Sequence, residues 1–137
     1  MEENNIVDAL LGRAKLRQNG ETREVVIKDG DDVKFTFKIS GLNEDELNKC
    51  MKRNTRNRGR RNEEIDNARF MSDVIYTATS EDDKAIWRNK EVWAALKVAS
   101  GVDVVNIVLT PSEKTAIFQE ISKLGGFDDE LDGIIKN

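Results

Sequence analysis

Seven positive charges and no negative one fall between Lys49 and Arg61: Lys49, Lys52, Arg53, Arg56, Arg58, Arg60 and Arg61. Side chains of this type at this density can neutralise the phosphates of a nucleic acid or fork onto the carboxylates of an acidic protein. They can also simply repel one another in a solvated joint between two helices. The rest of the chain is acidic, since the net charge of −4 at pH 7 would be −11 without those seven cations. The solvated joint ranks first, and protein docking through Arg53, Arg56, Arg58, Arg60 and Arg61 second. Nucleic acid ranks third, because the segment holds no aromatic on which a base could stack and the pI of about 5.0 opposes a basic footprint. Trp87, close to Lys84 and Arg88 in a polar turn, reads as a partly exposed anchor for a protein partner. Trp93, at helical spacing from Leu96, reads as core.

Covalent and acid–base chemistry find little to work with. The chain has no histidine, so the commonest general base and metal ligand is missing. Cys50 is the only cysteine and shares helical spacing with Leu47 and Met51, the pattern of a small buried hydrophobe. No nucleophile elbow, phosphate loop or dinucleotide fingerprint occurs, and Glu81-Asp82-Asp83 and Asp128-Asp129-Glu130 lack calcium-loop spacing. The expectation is a protein without enzymatic activity, metal or cofactor.

The elements that must position the basic segment are written in the sequence around it. Over 137 residues with 35% charged residues, the composition fits one charge-rich domain with its own core. The apolar runs are too short for a bilayer span and no secretory leader opens the chain, so no membrane partner and an intracellular setting are expected. Val33, Phe35, Phe37 and Ile39 alternate with Lys34, Thr36 and Lys38, predicting a strand with four large side chains on one face. Val25-Val26-Ile27 is its mate across a four-residue loop at Asp29-Gly30-Asp31-Asp32.

Asn43 with Glu46 makes a capping box for a helix running to about Arg53, with Leu42 and Leu47 as a staple. The polar run to Asn62 predicts a loop, and Asn62 with Glu63 and Glu64 opens a central helix over about 63–78. A helix is expected over 89–100, with Ala99 on its inner face, and a strand or a short helix over Val102–Leu109. Thr110, Pro111 and Glu113 start a last helix that Gly125-Gly126 ends, with Phe127 packing back. Before the strands, Ile6, Val7, Leu10 and Leu11 form one amphipathic patch, but Gly12 and Gln18-Asn19-Gly20 argue against a long helix. That segment reads as a short arm on the domain, or one that orders when a partner binds. The whole is an α+β fold: an arm at 1–22, a β hairpin at 23–40 packed on a mainly helical bundle at 43–127, and an acidic tail at 128–137.

The order of these motifs resembles a family, the tail assembly chaperones of long-tailed phages and prophages of Gram-positive bacteria. The stretches that carry it are Val74-Ile75-Tyr76-Thr77-Ala78-Thr79, Glu91 to Leu96, Gly101-Val102-Asp103, Val108 to Glu113, and Leu124-Gly125-Gly126-Phe127-Asp128-Asp129. Leu109, Pro111 and Glu113 match the family's start of the last helix, with Ser112 where glycine is usual. The acidic Ser80 to Asp83 stands where a proline-containing turn is often found.

The resemblance implies a non-enzymatic chaperone that transiently binds the phage tape-measure protein while the tail tube polymerises. It implies a place in the cytoplasm of the bacterial host, absence from the mature virion, and a longer frameshifted form attached after Phe127. It carries no binding residue over to this chain. The reading from another class is a small nucleic-acid-binding or regulatory protein using segment 49–61; a third is a structural virion component such as a tail-completion protein. Self-association through an uncovered edge of the 33–39 strand is a further expectation, although Lys34 and Lys38 are residues that protect such edges.

Overall fold

The alternating segment forms an antiparallel hairpin of β1 (Thr22–Asp29) and β2 (Asp32–Ser40) in a computed structural model that describes residues 2–19 and 21–126. Its turn is tighter than expected. Asp29 pairs with Asp32, so only Gly30 and Asp31 form the loop, and Gly30 supplies the positive φ of 62° that such a tight turn needs. The register then slips: Ile27 faces Phe35 but Lys28 faces Val33, leaving Lys34 as the extra residue of a bulge. A slip of one residue exchanges the faces of a strand. Phe35, Phe37 and Ile39 therefore stay together on the inner face, while Val33 is 56% exposed, a correction to the four-residue face read from alternation.

Trp87 covers that inner face. Its ring meets Phe37 edge-on at 5.1 Å and Phe35 at 5.8 Å, and those two rings stack at 6.1 Å. The indole N–H donates to Thr79 Oγ1 at 3.1 Å, and the Trp87 carbonyl accepts from Trp93 Nε1 at 2.7 Å. The edge of β2 is partly occupied as well. Thr79 bridges Ile39, Ser80 N–H donates to the Lys38 carbonyl at 2.9 Å, and Lys38 N–H donates to Asp83 Oδ2 at 2.7 Å. At Lys38 and Ile39 the edge is thus taken by the same chain, not left for a second subunit.

The helical part is ordered around α3 (Asn67–Ala78), which packs against α2 (Glu44–Arg53), α5 (Gly101–Val108) and α6 (Pro111–Gly125). Val74, Ile75 and Ala78 of α3 join Cys50, Val104, Val105, Leu109, Ile117 and Ile121 in the core. Both capping boxes form as read, Asn43 with Glu46 and Thr110 with Glu113, with Pro111 at the start of α6. The Val102–Leu109 run, left open between strand and helix, is helical. Ser100 caps it by accepting from Asp103 N–H, and burial of Val104 and Val105 overrides the β preference of its branched residues. Helix α4 (Lys90–Leu96) stops short of the expected 89–100, with Lys97 in the left-handed region at φ 60° and Ala99 exposed.

Polar side chains tie α3 to its neighbours. Arg69 pairs with Asp103 of α5 and holds its carboxyl below the usual carboxylate range. Ser72 Oγ donates to Asn106 Oδ1 at 3.1 Å, and Lys114 of α6 donates to the same oxygen. Burial pulls the Lys114 ammonium pKa down.

The N-terminal segment departs most from its reading. It forms an 18-residue helix, α1 (Glu2–Asn19), in place of a short arm with one helical patch. The packing of Phe127 and the acidic tail at 128–137 lie outside the described residues. The α+β class, with an N-terminal hairpin packed on helices, holds.

Candidate functional site

The basic segment is not the open loop its composition suggests. At the end of α2, Asn54 turns the chain, donating from Nδ2 to the Cys50 carbonyl at 2.6 Å and to Asp73 Oδ2 at 2.9 Å. Thr55–Arg56 (β3) then pairs with Glu64–Ile65 (β4), and Asp66 N–H donates to the Asn54 carbonyl at 2.8 Å. Segment 54–66 is therefore a small clasped hairpin. Arg56 closes it through Asp66 at 2.9 Å and Glu64 at 3.7 Å. Glu63 closes the turn by accepting from Gly59 N–H at 2.7 Å. Asn57 and Gly59, at φ 56° and 76°, make the reversal with the two residue types that tolerate the left-handed region best.

This clasp corrects the start of the central helix. Its cap is Asp66, accepting from Arg69 N–H at 3.2 Å, and not Asn62. Glu63, Glu64 and Ile65 belong to the hairpin, and Ile65 is 39% exposed and not part of the core. Asp66 caps α3 through one oxygen and holds Arg56 through the other.

The expected docking residues separate into three groups. Arg53 is half exposed but turned back onto its own chain: its Nε and Nη2 reach the two oxygens of Asp73 at 2.8 and 2.9 Å, and Asp73 is only 4% exposed. The Asp73 hydrogen bonds of that fork raise the Arg53 pKa, and the fork together with the bonds of Asn54 and of Thr77 Oγ1 (3.3 Å) to Asp73 fixes α2 to α3. Arg56 is the clasp. Arg58, Arg60 and Arg61 stand exposed on the tip with no ion pair or side-chain hydrogen bond among the described residues. Met51 and Ile65, both partly exposed, lie on either side of Thr55 at the foot of the tip, Thr55 donating to the Met51 carbonyl and pairing with Ile65.

Trp87 leaves the set altogether. It is 2% exposed, because the Phe35 and Phe37 rings need an aromatic of its size to cover them. The charged neighbours that suggested exposure bind elsewhere, Lys84 to Glu81 at 3.0 Å and Arg88 to the Tyr76 hydroxyl at 2.8 Å. Cys50 is buried, and burial pushes its thiol up, the condition of an unreactive cysteine. Among the described residues there is no group of three or more metal-ligating side chains, and no helix is long and apolar enough to cross a membrane.

The division between Arg53 and the tip gives a direct test. Arg53→Ala removes the half-exposed cation from the buried Asp73 carboxylate, which keeps Asn54 and Thr77 as donors, and is expected to cost about 1–2 kcal/mol in urea unfolding. Arg58→Ala, which removes only solvated atoms, is expected to stay within about 0.5 kcal/mol of the parent chain.

Known proteins resemble this chain over most of its length. The model of one protein family, described as phage XkdN-like tail assembly chaperone protein, matches residues 7–137. The crystal structure of the protein YqbN shares the fold at a TM-score of 0.52, with 23% identity over 80% of this chain and 87% of that one. No curated protein matches the chain.

Proposed function

The chain belongs to the family of XkdN-like phage tail assembly chaperones, and from that premise we propose that it binds the phage tape-measure protein transiently, docking through the arginine tip. Tail assembly chaperones are not a class of enzymes, and the site described above is built for contact without chemistry. The observation that carries the reading is the set of unpaired guanidiniums at Arg58, Arg60 and Arg61, held out by a clasped hairpin on an otherwise acidic protein. Such a tip forks onto carboxylates of a charge-rich helical partner, and Met51 and Ile65 at its foot add apolar contact. Because these charges are exposed, the contact is screened by salt and releases readily, which suits a partner that must later leave. The complex forms in the cytoplasm of the host, and the chaperone is absent from the finished particle.

Co-expression with the tape-measure protein tests this reading. The parent chain should keep that protein soluble and co-elute with it at low salt. The triple variant Arg58→Glu, Arg60→Glu, Arg61→Glu should lose co-elution while keeping its circular dichroism and melting temperature. Capture by the triple variant equal to that of the parent would remove the tip from the mechanism. Nucleic-acid binding that depends on the same arginines, with no capture of the tape-measure protein, would instead favour the nucleic-acid reading of segment 49–61.

A further inference from the structure

Helix α1 has an apolar face that no other element among the described residues covers. Ile6, Val7, Leu10 and Leu11 are 56%, 49%, 63% and 59% exposed, although their spacing, with Ala14, gathers them on one side of the helix. An isolated helix of about this length is marginal in water even with favourable composition, so α1 needs a partner for that face. Its charges indicate which partner. Asp8 lies in the first half of α1, and Arg13 and Lys15 lie in the second half.

We propose that α1 pairs antiparallel with α1 of a second copy of this chain, forming a homodimer through the stripe of Ile6, Val7, Leu10 and Leu11. Antiparallel alignment lays the acidic half of one helix over the basic half of the other, whereas parallel alignment sets acid against acid and base against base. It also places each helix's positive N-terminal end beside the negative C-terminal end of the other. Turning along the helix at its usual angle, Asp8 and Lys15 lie on one flank of the stripe, two turns apart. In an antiparallel pair centred near Leu11, Asp8 of each copy is level with Lys15 of the other, so the contact occurs twice. The dimer therefore joins at α1, a different element from the β2 edge.

Sedimentation over a range of protein concentrations tests the pairing on the full chain. The parent chain is expected to be dimeric, and Leu10→Glu monomeric, with a loss of far-UV helical signal but an unchanged melting transition of the remaining domain. Asp8→Lys and Lys15→Asp should each weaken the dimer about tenfold, because weak attraction becomes weak repulsion at two symmetric contacts. The two changes together should restore it. A parent chain that is monomeric throughout the range overturns the proposal. So does a dimer that Leu10→Glu leaves intact, or a double charge exchange that is no better than the singles.

Discussion

Trp87→Ala is expected to cost about 3–5 kcal/mol, the usual loss for truncating a large aromatic in a packed core. The effect at this position is large because the side chain closes two structures at once. Its ring covers Phe35 and Phe37 of the hairpin, and its N–H joins Thr79, the residue that bridges β2 at Ile39. A two-stranded hairpin is marginal by itself, so losing the cover releases the strands along with the contact. Thr79 is not orphaned, since its hydroxyl also donates to the Ile75 carbonyl at 2.7 Å. Trp87→Phe, which keeps a ring in place and loses only the N–H bond and part of the volume, should therefore cost less than half as much. Thermal melting read by near- and far-UV circular dichroism checks both variants, and a Trp87→Ala variant within about 1 kcal/mol of the parent chain would mean the hairpin is sealed by something else.

Gly41→Ala should be nearly as damaging, at about 3 kcal/mol or more, for the opposite reason. A methyl group there would lie 2.4 Å from the Gly125 nitrogen, 2.5 Å from the Leu124 carbonyl carbon and 2.6 Å from the Gly125 Cα. These are backbone atoms of the last turn of α6, with no flexible side chain to move aside, so the hairpin and α6 must separate. Gly12 is the matched control. A Cβ at that position meets nothing within 4 Å, and Gly12→Ala should strengthen α1 by about 0.5–1 kcal/mol through helix propensity alone. Equal stability of the Gly41→Ala and parent chains in chemical unfolding would show that α6 does not pack this closely on the start of the bundle.

The difference between these two glycines could not be read from the sequence, because both are simply glycines beside polar or apolar neighbours. The same limit explains the arginines. Arg53 and Arg58 stand in one basic run, and only the arrival of α3 places Asp73 against the first of them. Asn62 followed by Glu63 and Glu64 has the pattern of a helix start, yet the β3–β4 clasp draws those glutamates away from the helix and Asp66 caps it instead. Trp87 lies in the core because charged neighbours in sequence say little about where a large ring goes when an aromatic face needing cover lies nearby.

What the sequence alone determined is what acts over three or four residues, together with bulk composition. The capping boxes at Asn43 and Thr110, the alternation from Phe35 to Ile39, the acidic chain with one basic segment and the absence of histidine were all legible without coordinates. These features follow from local hydrogen bonding, side-chain periodicity and counting. The tertiary structure alone decided which arginines are spent on carboxylates of the same chain and which remain free, which strand residue the bulge turns outward, and that α1 presents an apolar face that no other described element covers. Burial and charge pairing depend on neighbours brought in from distant positions, and no short-range pattern encodes which neighbour arrives.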